Sequence, residues 1–152
     1  MAGPYNSTVT FDGTAFDAVE LGVMLSTTPD RNGMPTMGSY TTKVRIILDP
    51  SDQQNLPFGT VQKLFNAANV TTADKIKAVK LEYWTDDSKQ NALCCYKFNG
   101  WISYFQTLNP VGNGTTNLQG QQGQTNVMNN MMVLEITPQL NTQNQPNFTF
   151  SN

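Results

Sequence analysis

Apolar residues recur at every second position through much of this chain, and one short stretch breaks that rhythm. Thr8–Phe11 reads as a strand, and the Asp12-Gly13 pair after it predicts a tight hairpin turn. A second strand is expected from Thr14 to Leu25, with Val19, Leu21, Val23 and Leu25 on one face and Ala18, Glu20, Gly22 and Met24 on the other. Tyr40–Leu48 sets Val44, Ile46 and Leu48 against Lys43, Arg45 and Ile47, and Ile76–Trp84 sets Val79, Leu81 and Tyr83 against Lys80 and Glu82. Ala92–Phe98, Trp101–Phe105 and Met131–Thr137 complete the strand-like segments, with Asn99-Gly100 expected as a turn or bulge and Pro138 as a stop. Between Leu56 and Ala68 the spacing changes: Phe58, Val61, Leu64, Phe65 and Ala68 form one helical stripe, and Pro57 sits where a helix tolerates its missing N–H. The pattern predicts a mainly β domain carrying one amphipathic helix.

Two long segments interrupt this order. Ser26–Ser39 contains two prolines, two glycines and an Asn-Gly pair, which argue against regular structure across much of it. Its methionines, Met34 and Met37, are unusual for a solvated loop and suit either an adaptable contact surface or side chains tucked back on the parent domain. Asn109–Asn130 is rich in Gly, Asn, Gln and Thr, and loops of this length are commonly functional or disordered. Near the end, Phe148 and Phe150 alternate as a docking edge strand would, although a frayed end fits them equally well.

At 152 residues the chain is expected to be a single domain, with a body over about residues 8–140 and a polar tail over 141–152. Only 13% of residues are charged, about half the usual share, and Asn, Gln and Thr make up about a third of the chain. So little charge leaves few forces to keep like molecules apart, which favours a surface covered by partners, copies of the same chain included. The net charge of −2 and the dispersed Lys and Arg argue against nucleic-acid binding. Lys75, Lys77 and Lys80 come closest to a basic patch, but Asp74 and Glu82 flank them as on a solvated strand face. No apolar run approaches the roughly 18 residues of a membrane span, so membrane insertion is not expected. The start of the chain has neither the basic nor the apolar part of a signal peptide, which predicts a protein made and folded in the cytoplasm.

Catalytic chemistry finds little to work with. Histidine is absent, which removes Ser-His-Asp and Cys-His catalysis and His-ligated metals. The 11 carboxylates are scattered, and no pair is set to split its pKa values for acid–base work. Asp30-Arg31-Asn32-Gly33 resembles the start of a calcium loop, but its glycine comes too early and the closing acid is missing, so a turn is expected. Cys94 and Cys95 are adjacent on a strand, point to opposite faces and are expected to be free thiols. No catalytic residue, metal site or cofactor is assigned, and the chain is read as a non-enzyme.

In order, Phe11-Asp12-Gly13-Thr14-Ala15-Phe16-Asp17-Ala18-Val19 to Leu25, the Gly/Pro loop, and Thr42-Lys43-Val44-Arg45-Ile46-Ile47-Leu48 resemble the opening of the hemolysin-coregulated protein (Hcp) family. These are the tube proteins of type VI secretion systems, and the match is nearest to the form found in Bacteroidetes-type systems. The helix Phe58–Ala68, the strand Ala78–Trp84, Phe98-Asn99-Gly100-Trp101-Ile102-Ser103-Tyr104-Phe105 and Val133-Leu134-Glu135-Ile136-Thr137-Pro138 continue the resemblance in the same order. It spans about Val9 to Leu140. It implies two packed antiparallel sheets forming a barrel-like body, one flanking helix at about Phe58–Ala68, and a long protruding loop. It also implies rings of six copies around a channel, with the rings stacked into a tube through that loop. By position the loop is Thr28–Tyr40, and Pro29, Asp30, Arg31, Asn32, Met34, Pro35, Met37 and Tyr40 are its expected stacking residues.

The resemblance thus implies an inner-tube subunit that assembles in the bacterial cytoplasm and is expelled by a contractile sheath without a signal peptide. It would carry or chaperone effectors in its lumen. The implied partners are other copies of itself, the sheath, a tip spike protein and secreted effectors. A tail-tube protein of a phage or related contractile particle is the alternative within the same class. From another class, a soluble β-sandwich could use Trp84, Trp101 and Tyr104 as a carbohydrate-stacking platform, but their apolar strands favour core packing instead.

Overall fold

The fold turns on one strand that belongs to two half-sheets. The computed structural model describes residues 5–36, 41–69, 72–109, 130–139 and 149–151. In chain order the elements are β1 (Ser7–Phe11), β2 (Thr14–Asp17), β3 (Glu20–Ser26), β4 (Thr41–Leu48), α1 (Phe58–Asn69), a short 3-10 helix (Ala73–Lys75), β5 (Lys77–Trp84), β6 (Ala92–Leu108), β7 (Met131–Pro138) and β8 (Thr149–Ser151). All strand pairings are antiparallel, and neighbours run β2-β1-β5-β6-β7-β4-β3, with β8 added to β6. The 17 residues of β6 explain this order. Its first half pairs with β5 as far as Lys77↔Gly100, and its second half pairs with β7 from Gly100↔Pro138 onward.

Gly100 is therefore the pivot. A Cβ there would lie 2.8 Å from the Thr137 carbonyl oxygen and 3.1 Å from the Phe98 ring, so only glycine lets the two halves approach. Neither the turn nor the bulge expected at Asn99-Gly100 is present, because β6 runs straight through it. The irregularity falls later, between Ile102 and Tyr104, where Ser103 is an extra residue against β7.

A second crossing links the ends of the sheet. The strand expected from Thr14 to Leu25 is broken at Ala18-Val19. Ala18 N–H bonds the Ser7 carbonyl at 3.0 Å, in the half held by β1, while Val19 N–H bonds the Ile47 carbonyl at 2.9 Å, in the half held by β4. The chain thus changes partners between adjacent residues, which buries Ala18 and leaves Val19 exposed, although the expected alternation set Val19 on one face with Leu21, which is buried. Asn55 secures the corner, accepting from Asp17 N–H at 2.7 Å and donating to the Asp17 carbonyl at 2.8 Å. The two layers implied by the resemblance are the halves of this one folded sheet, which the β2 and β3 strands do not close by pairing with each other.

A single core fills the interior. Val9, Phe11, Phe16, Leu21, Val44, Ile46, Leu81, Ile102, Leu134 and Ile136 come from both halves and are all buried. Across this core the Tyr83 hydroxyl donates to the Leu21 carbonyl at 2.9 Å. The β1–β2 turn forms as the Asp-Gly pair predicts: Asp12 and Gly13 have φ of 49° and 78°, and Phe11 pairs with Thr14. α1 starts where the Pro57 carbonyl accepts from Val61 N–H at 3.1 Å. It buries the Leu64 edge of its apolar stripe, together with Leu56 just before it. Phe58 and Phe65, on the other edge of the stripe, remain 69% and 44% exposed. Only one edge of the stripe therefore meets the core.

Candidate assembly surface

Beyond Leu25 the β3–β4 hairpin leaves the body and continues as a narrow ribbon. Thr36 N–H bonds the Thr28 carbonyl at 2.9 Å, Pro29 bridges Pro35, and Asp30 N–H bonds the Met34 carbonyl at 2.7 Å. Regular structure therefore extends into the segment whose prolines and glycines argued against it. The prolines fit because each occupies a place where no ladder N–H is required.

The ribbon's tip is organised by one carboxylate. Asp30 Oδ1 accepts from the N–H groups of Asn32 and Met34, both at 2.9 Å, and the Asp30 carbonyl accepts from Gly33 N–H at 3.1 Å. Gly33 takes φ of 79°, a left-handed conformation that suits glycine. This is the turn expected of Asp30-Arg31-Asn32-Gly33, with the carboxylate committed to backbone N–H groups.

Pro29, Asp30, Arg31, Asn32, Met34 and Pro35 thus share one exposed ribbon, while Met37 and Tyr40 lie outside the described residues. Every residue from Met24 to Thr36 is exposed. Met24 and Leu25 are each 55% exposed and Met34 61%, so the ribbon presents apolar side chains more than half open to solvent. An isolated two-stranded hairpin is marginal in water, and an apolar one gains most from a partner. Sequence reasoning missed Met24 and Leu25 because alternation assigns one of each neighbouring pair to the interior. Exposure of both shows that β3 outruns the core. Phe58 and Phe65 on α1 were missed for a related reason: helical spacing locates a stripe but not which edge of it is buried. Phe65 approaches the Phe105 ring edge-on, with ring centroids 5.6 Å apart.

The aromatic platform does not assemble. Trp84 and Trp101 are half-buried, Tyr104 is 43% exposed, and none of the three enters the core that their apolar strands predicted. Trp84 Nε1 donates to Thr8 Oγ1 at 2.9 Å, and the Tyr104 hydroxyl donates to Gln106 at 2.7 Å. Trp84 pairs with Ala92 at the start of β6, whereas Tyr104 lies near its other end.

Charges are spent locally. Lys80 pairs with Glu82 at 3.2 Å, Lys77 with Asp12 and Lys43 with Glu135 at 3.9 Å each, and Lys89 with Asp17. Cys94 and Cys95 are free, with Cys95 buried, and burial followed by the neighbouring Cys95 raises the Cys94 thiol above its ordinary value. No group of three or more metal-ligating side chains occurs among the described residues. Nor is any helix among them long and apolar enough to cross a membrane. The long segment 110–129 and the tail residues 140–148, with Phe148, lie outside the described residues, while β8 pairs with Cys95–Lys97.

No family model matches the chain, and no curated protein matches it. Among solved structures it is similar to Hcp1 from Flavobacterium johnsoniae, with a TM-score of 0.57 and 11% sequence identity. The likeness covers 88% of this chain and 89% of that one. The chain is Hcp-like in fold, over nearly the whole length of both proteins.

Proposed function

We propose that this chain is the structural inner-tube subunit of a type VI secretion apparatus, forming six-membered rings that stack into a tube. Its role is non-enzymatic. The rings assemble in the bacterial cytoplasm inside a contractile sheath, end at a tip spike and are expelled with effectors in the lumen. The observation that carries this reading is the shared fold with Hcp1 across 88% of the chain. The β3–β4 ribbon supports it, because Met24, Leu25 and Met34 stand exposed where a neighbouring ring would cover them. Head-to-tail contacts of this kind, one patch meeting a different patch on the next copy, generate closed rings and open stacks. The low charge of the chain, 13%, suits surfaces that spend their working life against copies of themselves.

Native mass spectrometry of the purified chain tests the reading. A species of six subunit masses is expected at micromolar concentration. A monomer that persists as concentration is raised contradicts it.

A further inference from the structure

A cleft of about 320 Å³ separates α1 from the β1–β2 hairpin. Thr60, Lys63, Leu64 and Ala67 recur at i, i+3, i+4 and i+7, a second helix face that points at the hairpin and contains only one large apolar side chain. The small residues Thr60 and Ala67 leave the space open, and Leu64 with Phe11, both buried, provide apolar lining. The volume lies at the lower end of the range that holds small organic ligands.

Charge at this cleft is unbalanced. Lys63, Lys75 and Lys77 line it together with two acids, Asp12 and Asp74. Asp12 faces Lys77 at 3.9 Å, and Asp74 accepts a hydrogen bond from the Thr72 hydroxyl. Lys75 donates to the Asn66 carbonyl at 3.1 Å. Lys63 has no ion-pair partner among the described residues. An apolar lining beside a surplus ammonium selects a ligand with an apolar body and one negative charge.

We propose that this cleft binds an organic carboxylate on a short apolar stem, the stem against Phe11 and Leu64 and the carboxylate at Lys63. A free aliphatic acid and the C-terminal residue of a peptide present the same chemistry. The inference does not depend on tube formation.

Amide chemical shifts of the intact protein are followed at low salt during titration with hexanoate, hexanol, N-acetyl-leucine and N-acetyl-leucine amide. Saturable shifts at Thr60, Leu64 and Ala67 are expected with the two carboxylates and not with the two neutral compounds. Tighter binding of N-acetyl-leucine assigns the ligand to a peptide terminus, and tighter binding of hexanoate assigns it to a free acid. Lys63→Glu, on an exposed helix position, should weaken carboxylate binding about tenfold or more without affecting the fold. Ala67→Leu should fill the cleft and abolish the shifts. Equal binding of the neutral compounds, no saturable shifts with either carboxylate, or unchanged affinity in Lys63→Glu overturns the proposal.

Discussion

The side-chain amide of Asn55 is hydrogen-bonded to both backbone groups of Asp17, at 2.7 and 2.8 Å, across 38 positions of sequence. Asp17 is the last residue of β2, where the chain stops following β1 and turns toward β4. A strand that leaves its ladder strands its N–H and C=O, and a carboxamide supplies the matching acceptor and donor. Asn55→Ala should lower stability by about 1–3 kcal/mol, as expected for partly buried backbone groups left unsatisfied. Urea unfolding measures this. Asn55→Asp should recover little, since a carboxylate can accept from Asp17 N–H but cannot donate to its carbonyl.

Gly100 gives the sharpest steric prediction. A methyl group at this position meets the Thr137 carbonyl oxygen at 2.8 Å, and that oxygen belongs to a strand backbone that cannot swing aside. Gly100→Ala should cost about 1–3 kcal/mol by overpacking, visible as a lower urea midpoint. Gly22, with open space around its Cβ position, should accept alanine with little change and serves as the control.

Tyr83 should make stability fall in alkali. Burial, followed by the neighbouring Tyr96 and Cys94, pushes its hydroxyl from 10.0 up to about 12. The folded state therefore holds this proton more tightly than the unfolded state. The resulting stabilisation is complete below pH 10 and is lost as pH rises from 10 to about 12. Because the side chain is only half-buried, the loss should be about 1–2 kcal/mol. Tyr83→Phe should cost about 1 kcal/mol at neutral pH through the missing bond to Leu21, and should flatten the decline between pH 10 and 12 relative to the unmodified chain.

The ribbon should separate assembly from folding. Asp30→Ala removes the acceptor of two backbone N–H groups at the tip, and Met34→Asp puts a charge where an apolar side chain is 61% exposed. Neither change touches the core, so thermal midpoints should move by no more than about 2 °C. Sedimentation of stacked particles should be lost in Met34→Asp and weakened in Asp30→Ala.

Much of the fold was legible in the chain because its signals are local. Asp12-Gly13 encodes its own turn, alternation places Val44, Ile46 and Leu48 inside, and the spacing from Phe58 to Ala68 encodes a helix. What stayed hidden depends on partners distant in sequence. Gly100 reads as a turn or bulge signal until Thr137 is seen pressed against it, and nothing near Ala18-Val19 announces that the chain passes from one half of the sheet to the other there. Its methionines mark the loop at Thr28–Tyr40 as a candidate contact surface, but the turn at Asp30–Met34 is held by the Asp30 carboxylate, which composition does not reveal. Low charge pointed to partners without saying which surface meets them. The exposed edges, Met24, Leu25, Phe58 and Phe65, become visible only once the core has taken its share of the apolar residues.

Electron microscopy of the purified, unmodified chain tests the central claim most directly. Six-fold rings with an open centre, stacking end to end at high concentration, are the predicted result. A compact particle of one subunit under the same conditions would contradict it.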